Sequence, residues 1–177
     1  MTLHAHRVIQ QKIMRIFFWA VISSYLSLAT PIFADVPSTL PVETPRFSLN
    51  DLNGKSHSLD DWKGKIIMLN FWATWCPPCQ YEVPHFIRFQ KEYAHLDLQI
   101  IGIAIDDLRP VQNFARTFEI NYPVLITNNN SILNEWGNEE QILPFTVFID
   151  RKGEIINSHQ GIVDELIFEY QVKPLLR

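Results

Sequence analysis

Cysteine is scarce in this chain: its 177 residues include two, Cys76 and Cys79. A framework of several disulfides is therefore excluded, and the fold must be held by an apolar core. At 47% hydrophobic residues the chain has the material for one. Basic charge is not in excess either, with 15 Lys and Arg against 19 Asp and Glu. That argues against a nucleic-acid partner, which requires a basic footprint. The most apolar stretch, Ile16 to Ala29, falls short of the roughly 20 residues of a comfortable membrane span. Internal repeats and low-complexity segments are absent as well, which leaves one domain and a leader.

The leader is residues 1–34. Arg7, Lys12 and Arg15 precede the apolar stretch, no acid accompanies them, and small residues follow at Ser27-Leu28-Ala29 and Ile32-Phe33-Ala34. This is the layout of a secretory signal, with an uncleaved anchor through residues 16–29 as the alternative. Either way the domain is expected outside the cytoplasm, periplasmic or held at the membrane. Without the leader, 12 basic and 19 acidic side chains remain, a net charge of −7. Residues 35–45, with Pro37, Pro41 and Pro45, read as an extended linker. The domain is expected over residues 46–177.

Export gives the cysteine pair its meaning. A structural bridge in an oxidising compartment normally closes a long loop, because its effect grows with loop size. A bridge from Cys76 to Cys79 would constrain almost nothing. A helix beginning at Cys76, however, would aim unpaired N–H groups and the positive end of its dipole at that sulfur. Both favour thiolate, the reactive form. The stretch Asn70-Phe71-Trp72-Ala73-Thr74-Trp75-Cys76-Pro77-Pro78-Cys79 therefore reads as a redox centre.

The flanking patterns supply a scaffold. Phe47 to Leu49 and Lys55 to Leu59, joined by Asn53-Gly54, predict a small hairpin. A short helical turn follows at 58–62. Ile66 to Trp72 and Leu98 to Ile105 are apolar runs of the length and composition of strands buried on both faces. Residues 78–95 predict a helix with Val83, Phe86, Ile87 and Phe89 inward and a kink at Pro84. A second helix is expected over 109–118, with Val111, Phe114, Ala115 and Phe118 inward. A strand at 122–126, a short helix at 131–136, a hairpin from 145–150 to 154–158 and a last helix at 163–175 complete the order. The expected class is α/β, a mixed central sheet with helices on both faces and an N-terminal β-hairpin.

These residues resemble the thioredoxin superfamily, and within it the exported TlpA/ResA-like thiol–disulfide oxidoreductases, with cytochrome c maturation thioredoxins as near neighbours. The resemblance rests on Phe71 to Cys79, Glu82, Pro84, Gly102-Ile103 to Asp106, and Leu143-Pro144 through Gly153, and covers about residues 44–177. It implies the thioredoxin-like fold. It implies that Cys76 is the exposed nucleophile and Cys79 the resolving cysteine, the two forming a redox disulfide. It makes Pro144 a cis-proline facing that disulfide, and Glu82 an acid beside the active site. Trp75, Pro77, Pro78, Leu143 and Pro144 are the implied substrate-binding residues. Where thioredoxin itself carries a buried acid before the motif, this chain has Asn70, which cannot shuttle protons, so Glu82 is the candidate to assist Cys79.

The implied partners are proteins with disulfides or dithiols, and a membrane thiol reductant as electron donor. No cofactor and no metal is expected. Pro77 and Pro78 lack backbone N–H groups, so two donors to the Cys76 sulfur are missing. A less stabilised thiolate makes a more reducing couple, so reduction of substrates is the expected direction. Trp72 is expected in the core and Trp75 near the surface. His85 and His159 raise an alternative, a copper-binding or copper-delivery module of the same fold; His85 is expected on a solvent face. A peroxidase of this fold would need Thr or Ser where Ala73 stands.

Overall fold

The computed structural model describes residues 44–176. The expected leader and nearly all of the linker lie outside the described residues.

The sheet is built from its two most apolar segments outward. Strands β3 (Ile66–Trp72) and β4 (Leu98–Ile105) are buried at every position and pair in parallel. Two further strands, β5 (Val124–Thr127) and β6 (Phe145–Ile149), join them, β5 parallel to β4 and β6 antiparallel to β3. Strand β7 (Ile155–Gln160) closes the β6 hairpin. At the other side β1 (Leu49–Asp51) and β2 (Ser56–His57) form the expected hairpin, and β1 pairs with β5. Among the described residues the result is one mixed sheet of seven strands in the order β2-β1-β5-β4-β3-β6-β7.

Continuous apolar strands demand cover on both faces, and side-chain alternation divides the core accordingly. Ile66, Met68, Trp72, Ile100 and Ala104 face helices α1 (Pro77–Tyr93), α2 (Leu108–Thr117) and α4 (Glu165–Gln171), through Phe86 and Phe89, Val111, and Phe168. Phe89 and Phe168 stack with ring centroids 3.9 Å apart, joining α1 to α4. The opposite face, with Leu69, Phe71, Ile101, Ile103 and Val147, is covered by α3 (Ser131–Glu135) and by Trp62. This is the expected thioredoxin-like architecture.

Three local expectations change. The last helix begins later, because Asp164 caps it, its side chain accepting from the Ile167 N–H at 3.0 Å. It also ends at Gln171, and Lys173–Leu176 forms a separate 3-10 turn that contains Pro174. Helix α2 buries only Val111 fully; Phe114 is half-buried, lying over Trp72 at 5.1 Å and Phe118 at 4.2 Å. Ile87 is likewise half-buried, packed against the edge of the core. Pro84 lies inside α1, where, having no N–H, it cannot donate to the Gln80 carbonyl.

Candidate active site

Strand β3 ends at Trp72 and the chain turns through Ala73, Thr74 and Trp75 into α1, whose N-cap is Cys76. Pro77 and Pro78 take the first two helical positions, where a missing N–H costs the helix nothing. Cys79 supplies the next N–H, which donates to the Cys76 Sγ at 3.3 Å. The two sulfurs are joined in a disulfide with Cα atoms 5.3 Å apart. Cys79 is fully buried. Cys76 is also buried, at 4% exposure, which corrects the expectation of an exposed sulfur. It remains the more accessible of the two, Cys79 being at 0%. Around it Trp75 is 66% exposed, Pro77, Pro78 and Tyr81 are exposed, and Trp72 is core.

One turn beyond Cys79, on the same face of α1, lies Glu82, fully buried. Its Oε1 accepts from Asn70 Nδ2 at 2.7 Å and its Oε2 from the Val163 backbone N–H at 3.1 Å. Burial pushes its pKa up to about 8, against the opposing pull of those two hydrogen bonds. Asn70 also donates to Thr146 Oγ1 at 3.1 Å. The register explains this constellation: Asn70 stands directly opposite Thr146 on one side and Gly102 on the other. Tyr122 lies at the same level, and burial with the neighbouring Glu82 carboxylate pushes its phenol up.

The Leu143–Pro144 peptide bond is cis, and Pro144 is buried. The Pro144 carbonyl accepts from the Gly161 N–H at 2.8 Å. The loop that holds Pro144 at Gly161 thus also holds Glu82 at Val163. Leu143 is half-buried against the cluster that contains both cysteines. It shares with Trp75 an open groove of about 300 Å³, whose other walls include Asp106, Asp107, Asn130 and Gln141.

His85 and His159 are not brought together as ligands. His85 is half-buried rather than on a solvent face, its ring lying between Tyr81 at 5.6 Å and Phe89 at 6.2 Å. His159 Nε2 lies 3.2 Å from the Ile162 carbonyl. Among the described residues no three His, Cys, Asp or Glu side chains are grouped to hold a metal ion.

Residues 42–158 match the AhpC/TSA family model. The chain belongs to that family. A thiol–disulfide oxidoreductase ResA of Bacillus thuringiensis subsp. konkukian is 35% identical over 120 residues, 67% of this chain and 68% of the relative. Among solved structures, a thiol:disulfide interchange protein of the thioredoxin family from Chlorobium tepidum TLS has a TM-score of 0.68 at 31% identity, covering 78% of this chain and 98% of that one. The exposed lipoprotein thioredoxin Etrx1 of Streptococcus pneumoniae gives a TM-score of 0.64 at 26% identity, covering 74% of this chain and 100% of that one. The protein is thus a ResA-like member with the thioredoxin-like fold, and its activity is that of a thiol–disulfide oxidoreductase.

Sequence reasoning did not find Thr146, Val163, Tyr122 or the contact of Thr74 with Asp106. A polar residue inside an all-apolar strand is a signal, and Asn70 and Thr146 both carry it. Val163 contributes a backbone group, for which no side-chain signal exists.

Proposed function

We propose that the chain reduces disulfides in exported proteins through Cys76 and Cys79. The observation that carries this is the placement of Cys76 at the N-cap of α1, bridged to the fully buried Cys79, with the buried acid Glu82 one turn further. In the dithiol form the Cys76 thiolate attacks a substrate disulfide and forms a mixed disulfide, releasing one substrate sulfur as a thiolate. Cys79, deprotonated with the help of Glu82, then attacks the Cys76 sulfur and releases the second substrate thiol. Substrate leaves with two electrons more, and the enzyme is left as the disulfide. A thiol reductant, in this reading a membrane protein, returns it to the dithiol.

The helix start supports the reducing direction. Two of the three leading amides are prolines, so one N–H, that of Cys79, reaches the Cys76 sulfur. A weakly stabilised thiolate is the signature of a reducing couple. Trp75, Pro77 and Pro78 present an apolar rim to the substrate chain, and Leu143 and Pro144 form the facing wall. Export is supported by the leader-like residues 1–34 and by the exposed lipoprotein relative. Apocytochrome c is one substrate that suits this reading.

Trapping tests it. In cells carrying Cys79→Ser, mixed disulfides to Cys76 are expected to accumulate with exported proteins as partners. Absence of any trapped partner removes the assignment. A reduction potential near that of the strong periplasmic oxidants, about −120 mV, removes the direction.

A further inference from the structure

Immediately before the cysteine pair the chain is held by a contact outside the chemistry described so far. Asp106 follows the last residue of β4 and is half-buried at the wall of the groove. Its Oδ2 accepts from the Thr74 backbone N–H at 3.0 Å and also from the Thr74 hydroxyl. Its Oδ1 accepts from the Asp107 N–H at 2.7 Å, which orients the carboxylate. On the far side of the same residue, Gln80 Nε2 donates to the Thr74 carbonyl at 2.6 Å. Thr74 is therefore gripped at its N–H, its hydroxyl and its carbonyl. The grip comes from the central sheet on one side and from the first turn of α1 on the other. Cys76 is two residues away, and its own N–H is bonded to the Ala73 carbonyl at 3.3 Å.

We infer that Asp106 is a positioning residue for Cys76: by clamping Thr74 it holds the Cys76 sulfur within reach of Cys79 in the dithiol, and so makes the couple more reducing.

Closing a disulfide ring against glutathione depends on the effective concentration of one thiol at the other. That quantity rises when the connecting backbone is already fixed in the closed geometry. Cys79 is fixed by α1, in which it is fully buried. Cys76 sits at the junction, and the segment leading to it owes its position to Thr74. Releasing Thr74 frees the dithiol more than the disulfide, because the covalent bridge holds Cys76 by itself. The dithiol then gains relative to the disulfide, and the potential rises. The inference rests on the reading of Cys76 and Cys79 as a reversible redox pair.

The experiment is equilibration of the full-length protein with mixtures of reduced and oxidised glutathione, in which two glutathione thiols convert one enzyme disulfide to the dithiol and become one glutathione disulfide. Asp106→Ala removes both acceptors, and Thr74→Ala removes the hydroxyl alone. Asp106→Ala is expected to shift the equilibrium about tenfold toward the dithiol, the strength of a charged hydrogen bond, or about 30 mV less negative. Thr74→Ala is expected to shift it in the same direction by less, and Thr74→Ser to keep the natural value. The double variant is expected to match Asp106→Ala, because the hydroxyl has no other partner in the clamp. Potentials that stay at the natural value in both single variants overturn the inference, as do shifts that add in the double variant. Lowered melting temperatures with unmoved potentials would make the clamp merely structural. If neither glutathione nor dithiothreitol mixtures interconvert the disulfide and the dithiol, the redox reading itself fails, an outcome distinct from the others.

Discussion

Asn70 and Glu82, one on the central strand and one on the active-site helix, meet through a 2.7 Å hydrogen bond from the amide to the carboxyl. Both are buried, at 2% and 0% exposure. An acid in such a place is destabilising when charged, and two hydrogen bonds from Asn70 and Val163 offset only part of that.

The pH dependence of stability follows. Glu82 has its pKa raised from 4.5 to about 8, so the folded protein keeps a proton that the unfolded chain releases. Its contribution is fully present below pH 4.5, is lost as pH rises through about 8, and is level above that. The loss is on the order of a few kcal/mol. Urea unfolding of the oxidised protein across that range should show the decline, and Glu82→Gln should flatten it. In the reduced protein the same variant should change the pH dependence of Cys79 alkylation. An unchanged profile would remove Glu82 from proton transfer.

Gly102→Ala tests the packing beside this pair. A Cβ at Gly102 would lie 2.8 Å from Trp72 Nε1 and 3.4 Å from the Tyr122 ring. Trp72 is 1% exposed, with Phe114 lying over it, and has no room to yield. Overpacking of this kind costs about 1–3 kcal/mol. Calorimetry should record a lower melting temperature, and an unchanged one would mean that the indole shifts freely.

Trp75→Ala should act in the opposite way. The side chain is 66% exposed, so stability should stay within about 0.5 kcal/mol. As an exposed aromatic at the rim of the proposed groove it should contribute about 1–2 kcal/mol to protein binding. Reduction of a protein disulfide should therefore slow about tenfold or more in kcat/KM, while a small disulfide such as oxidised glutathione should be affected little. Equal loss on both substrates would place the role of Trp75 in the chemistry instead.

The elements were legible where the pattern is local. Ile66 to Trp72 and Leu98 to Ile105 coincide with β3 and β4, because a buried strand is written in its own residues. The cysteine pair at a strand–helix junction was legible for the same reason. What was not legible depends on register between distant segments. Asn70 reads as a lost acid in sequence, yet in space it is the donor that joins Glu82 to Thr146. The burial of Cys76 was hidden because it depends on what the rest of the chain packs around the helix start. The grip of Asp106 on Thr74 spans 32 positions and leaves no periodic trace.

The ends of the sheet have a consequence for aggregation. A long bare edge would invite the unpaired strands of other chains to pair with it. The edge at β2 is only two residues long, because the N-terminal hairpin has been laid along β5. The edge at β7 carries Asn157, Ser158, His159 and Gln160 and sits beside a register irregularity at Phe148 and Ile149. Short or irregular edges of this kind resist templated aggregation. On the function proposed above, contact with substrate chains is thereby left to the groove beside the cysteines.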